Sequence, residues 1–225
     1  MNLTLAAISY GITVFALVLL AVRVRTLLAI YKKGAADPTR RNDKGVRLRM
    51  ALREIFGHTK MFNFTVVGFA HWFVMIGFFA LFGTLVTAYG QLINPRFALP
   101  VISHFWVYEY FTELVAWATG IGIVTLIGIR QVTRLRNKRS RFYGSGMAKA
   151  YYVEFTILLI VFCVIALRGL EGALSDETAW NRHFVTTWFI ADMFKSWTLT
   201  QLTSTIQLVA AIKIVGSMTW FIVIA

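Results

Sequence analysis

Residues 62–85 read FNFTVVGFAHWFVMIGFFALFGTL, a stretch with no Lys, Arg, Asp or Glu and one histidine, His71. A helix needs roughly 20 mainly apolar residues to cross a hydrocarbon layer about 30 Å thick, and this run supplies them. Working outward, four further stretches qualify, so spans are expected at about 3–22, 62–89, 111–129, 151–174 and 199–225. The composition agrees: 58% of the 225 residues are hydrophobic and 15% are aromatic, which places the chain in the membrane class. The expected fold is an all-α integral membrane protein, a bundle of five transmembrane helices in one membrane domain.

Charge sets the expected orientation. The net charge is +13, yet ten Lys or Arg fall within 24–60 and seven within 130–150, against only Arg96, Arg182 and Lys195 in 90–110 and 175–198. Basic loops stay on the cytoplasmic side, so the N-terminus is expected outside and the C-terminus inside. The basic loops then meet anionic lipid head groups rather than nucleic acid. The first stretch, LTLAAISYGITVFALVLLAV, lacks the basic start and small-residue cleavage site of a signal peptide and reads as a retained helix.

The loops carry their own signals. Leu48, Ala51, Leu52, Ile55 and Phe56 share one face of a basic amphipathic helix expected along the inner interface. The outer loop with Trp180, Trp188 and Trp197 suits a short interfacial helix, while RQVTRLRNKRSRFYGSGMAKA reads as a plain connector. No internal repeat is visible. The chain ends in MTWFIVIA, apolar throughout, as expected of the membrane part of a longer polypeptide.

One cysteine, Cys163, excludes an internal disulfide, an iron–sulfur cluster and a C-x-x-C-H haem attachment within these residues. A redox centre here must be non-covalent and use other ligands. Of the four histidines, His58, His71, His104 and His183, only His71 falls deep in a span, roughly 14 Å from its start. A polar group at that depth faces a partner, a cavity or a cofactor. Two readings stay open for it: a hydrogen bond to a neighbouring helix, or axial ligation of haem iron. Gly68, one turn earlier on the same face, would admit a flat macrocycle, and Met75 and Phe78 continue that face.

His58 lies 13 residues before His71, which on a continuous helix is about 220° round and roughly 20 Å away. It reads as a solvated interfacial histidine, or else as a ligand of a second haem or a polar group near a quinone head. His104 and His183 fall in outer loops and read as solvated. Arg168 and Glu171, three apart, form a local ion pair by default, with a haem propionate as the alternative partner of Arg168. Lys213, well inside the last span, either snorkels or meets a partner such as Glu113, a propionate or a quinone carbonyl. Glu154 is the remaining charge in a span.

The stretches LRMALREIFGHTKM, GFAHWFVMIGFFALFGTLVTAYGQL, NPRFALP and RSRFYGSG, in this order, resemble the N-terminal membrane region of actinobacterial electron-transfer-flavoprotein:menaquinone oxidoreductases. These are membrane iron–sulfur haem b proteins, related more distantly to the nitrate reductase gamma subunit and the heterodisulfide reductase membrane subunit. The resemblance implies a five-helix haem b domain in a bacterial cell membrane, with one or two haems. It implies electrons arriving from electron transfer flavoprotein or another soluble donor, through iron–sulfur clusters beyond residue 225, and leaving to menaquinone. Only His71 matches an expected haem ligand. The family's partner ligands come from the last helix, which here holds no histidine between Leu199 and Ala225. Two rival readings stand beside it: a small transporter or channel lined by Glu113, Lys213 and Glu154, and a cofactor-free membrane anchor.

Overall fold

The structure is a computed structural model, and it describes residues 2–34, 42–102, 105–136 and 147–224. All regular structure among these residues is helical. The long helices are α1 (Leu3–Lys32), α5 (Trp106–Arg136), α6 (Met147–Leu174) and α8 (Leu199–Ile224). Shorter helices are α2 (Lys44–Gly57), α3 (Thr65–Ala80), α4 (Phe82–Ile93) and α7 (Trp188–Phe194), with a 3-10 turn at Met61–Asn63. Four helices are long and apolar enough to cross a membrane, or five if the bent pair α3–α4 is one span.

That bend corrects the expectation of one helix over 62–89: α3 and α4 meet at 43° around Leu81. The cause is local. Thr84 donates both its hydroxyl (2.6 Å) and its backbone N–H (3.0 Å) to the Leu81 carbonyl, which tightens the turn and breaks the α-helical ladder. The spans at 111–129 and 151–174 also extend further, since α5 begins at Trp106 and α6 at Met147.

α8 sits at the centre, packed against α1, α4 and α6, while α3 lies on α5. Small residues set the close crossings: Ala88, Ala116 and Ala210 have no exposed surface, and a Cβ on Gly77 would overlap the Thr119 side chain. The outward faces are apolar. Val14, Phe15, Leu17, Val18 and Val22 of α1 are each more than half exposed, a surface that lipid satisfies and water does not. Short helices form in both loops where they were expected, as α2, none of whose residues is buried, and as α7.

Candidate functional site

The turn between α2 and α3 decides where the histidines go. His58 ends α2 in the left-handed conformation, φ 47° and ψ 33°, and Met61 N–H returns to its carbonyl at 2.8 Å. The following 3-10 turn folds back onto α3 because Gly68 has no Cβ; one there would overlap the Met61 carbonyl. Gly68 is therefore filled by the chain's own backbone, not by a macrocycle. Trp72 Nε1 donates to the Phe56 carbonyl at 3.0 Å and ties the end of α2 to α3.

As a result His58 and His71 are neighbours, with ring centroids 5.2 Å apart and planes tilted by 32°. The expected separation of roughly 20 Å assumed a continuous helix, and the reversal at His58 removes that premise. Two imidazoles on opposite sides of one iron need about 6 Å between centroids, from metal–nitrogen bonds of about 2 Å on each side plus the ring radii. The pair is thus too close to sandwich a haem. His58 Nδ1 lies 2.8 Å from the Ile55 carbonyl, to which it donates.

His71 makes no hydrogen bond among the described residues and is exposed on the wall of a cleft of about 380 Å³. Met75, Phe78 and Trp220 line the same cleft, which is apolar apart from His71, Thr119, Lys213, Ser217 and the Trp220 indole. Trp220 Nε1 is buried with no hydrogen-bond partner among the described residues. Lys213 is 2% exposed, and its Nζ donates to the Thr84 carbonyl and hydroxyl, both at 2.8 Å, so it is held by the α3–α4 break rather than by Glu113.

A second, polar cavity of about 640 Å³ opens at the α7 end of the bundle. Arg168 is its centre. The guanidinium meets Glu171 at 2.9 Å, Glu113 at 3.4 Å and Glu109 at 3.6 Å, donates to the His183 carbonyl at 2.5 Å, and lies 4.4 Å from the Phe184 ring centroid. Glu113 is closed off by the Thr186 N–H and hydroxyl and the Thr187 hydroxyl, at 2.6–2.8 Å. Glu171 also accepts from Gln91 Nε2, and His183 Nδ1 lies 2.5 Å from Glu109, so His183 is not a freely solvated loop histidine. Glu154 pairs with Arg130 at 3.0 Å.

The structure therefore brings His58, His71 and Lys213 to one region and places Arg168 in the other cavity, its charge already met by three carboxylates. The Arg168–Glu171 pair stands as expected; a propionate would have to displace it. His104 lies outside the described residues. Glu109, Gln91, Thr84 and Trp220 escaped the sequence reading. For Glu109 a signal existed: four residues before Glu113, it shares that helix face.

The cleft offers a flat apolar cofactor lipophilic walls, with the His71 ring among the residues that line it. Among the residues that line the cleft, His71 and Met75 are of the kinds that ligate haem iron. Comparison with family models, with curated proteins and with solved structures finds no match.

Proposed function

We propose that this chain is a membrane electron-transfer domain that binds haem b through His71 and exchanges electrons between a cytoplasmic iron–sulfur or flavoprotein donor and menaquinone. The α2 end is cytoplasmic in this reading and the α7 end outside, as the basic loops imply. The observation that carries it is His71, an imidazole with no hydrogen bond among the described residues, lining a cleft otherwise almost wholly apolar. Such a group is costly in lipid without a ligand to hold. Bound haem would supply one-electron chemistry. His71 would hold the iron, Met75 and Phe78 would line the ring, and Trp220 Nε1 would meet a polar edge of the cofactor or of the quinone.

The test is a reduced-minus-oxidised spectrum of the purified protein in lipid. A b-type spectrum is expected for the native chain and for His58→Ala, and loss of it for His71→Ala at equal insertion. A native spectrum in His71→Ala removes the ligand assignment.

A transporter remains the second reading, because the break between α3 and α4 and the polar cavity ending at Lys213 are features that solute pathways use. A colourless protein that moves a solute into liposomes would select it, and a colourless one that moves nothing would leave a membrane anchor.

A further inference from the structure

Several bonds hold the His58 ring against His71. His58 closes α2 in the left-handed region at φ 47°, and its carbonyl takes the Met61 N–H at 2.8 Å and the Phe62 N–H at 3.2 Å. Its Nδ1 donates to the Ile55 carbonyl at 2.8 Å, so the side chain is anchored as well as the backbone. Trp72, the neighbour of His71 on α3, ties the same end of α2 through the Phe56 carbonyl at 3.0 Å. His71 lines the apolar cleft and His58 does not, so His58 stands beside the candidate ligand without entering the space that the cofactor would fill.

We propose that His58 is the positioning residue for His71: its Nε2 accepts a hydrogen bond from the His71 ring nitrogen that does not bind iron. This deepens, and rests on, the haem reading above.

Three observations carry it. First, Nδ1 of His58 is committed to Ile55 as a donor, so in the neutral ring Nε2 is an acceptor, the complement of the N–H left on an iron-bound imidazole. Second, two imidazoles joined by one N–H···N bond have centroids about 5.2 Å apart, from about 2.9 Å between nitrogens and a little over 1 Å from each nitrogen to its ring centre. The observed separation is 5.2 Å. Third, His71 makes no hydrogen bond among the described residues, to His58 or to any other group, so nothing competes for its outer nitrogen. The final torsion of a histidine is broad, and the 32° tilt between the rings leaves His71 to be turned toward His58 at little cost.

Such an acceptor does two things to a ligating histidine. It selects which nitrogen is left for the metal and fixes the ring's orientation, and it makes the ligand more basic. A more basic imidazole favours ferric over ferrous iron, so His58 would hold the haem potential down.

The test uses the full-length protein in lipid, loaded to saturation with haem b. His58→Leu and His58→Phe remove the acceptor, while His58→Gln keeps an oxygen at about the reach of Nε2. All three place an ordinary side chain on the same left-handed backbone, so differences among them report the acceptor rather than the turn. In a redox titration followed by the b-type band, the ratio of reduced to oxidised haem at the native midpoint should rise about tenfold in His58→Leu and His58→Phe, an upward shift of about 59 mV for a one-electron couple. It should stay near native in His58→Gln. Transfer of haem to excess apomyoglobin should likewise be about 10- to 100-fold more favourable from the first two variants than from the third. Native potentials in His58→Leu and His58→Phe overturn the inference and leave the haem reading intact. An equal shift in all three, His58→Gln included, also overturns it, because His58 then acts by packing alone. A native chain with no b-type spectrum overturns both.

Discussion

Arg168 joins α5, α6 and the segment before α7 through one planar group. Its fork reaches Glu109 and Glu113 on α5, Glu171 on its own helix and the His183 carbonyl. Removing it leaves three carboxylates facing one another at low dielectric. Arg168→Met is therefore expected to cost about 3–5 kcal/mol, the usual penalty for stranding buried charge, read as lost unfolding free energy in mixed micelles. Glu113→Gln should cost less, about 1–3 kcal/mol, because the amide oxygen can still accept from the Thr186 N–H and hydroxyl, while the amide nitrogen replaces the oxygen that meets Thr187 and Arg168. Arg168→Lys should not rescue, since a point charge cannot meet three carboxylates and a carbonyl at once.

At the scale of elements, the α2–α3 reversal is the feature that assembles the candidate site. Gly68→Ala would drive a methyl group into the Met61 carbonyl, so it should destabilise by about 1–3 kcal/mol and separate His58 from His71. Detergent-unfolding curves read the first effect; cross-linking of a cysteine pair placed at the two histidines reads the second. Trp72→Phe removes one hydrogen bond to the end of α2, worth about 0.5–1.5 kcal/mol, and should speed proteolysis within Lys44–Gly57 without disturbing the bundle. Both helices were legible from hydrophobic spacing, but the reversal was not. It depends on His58 adopting a left-handed conformation and on one missing Cβ, neither of which leaves a periodic signal.

At the scale of the whole molecule, orientation is the property most open to direct measurement. Cys163 is 2% exposed, so the native chain should stay silent to aqueous thiol reagents and serve as its own background. A cysteine at Asn181, near the α7 end, should then react from outside intact cells, and one at Arg53, on α2, only after permeabilisation. The opposite pattern would invert the topology. By itself the sequence determined the all-helical membrane-type class, the rough place of the apolar helices, the two short helices in the loops and the local Arg168–Glu171 pair, but not the number of spans, four or five according to whether the bent pair α3–α4 is one span. Those follow from hydropathy, charge and spacing along one chain, which are local quantities. Only the tertiary structure decided that His58 meets His71, that Lys213 is held by a broken helix between two cavities, and that Arg168 is sealed among three carboxylates. Each of these is set by side chains from different helices competing for the same buried donors and acceptors, and that competition is resolved only when the helices pack.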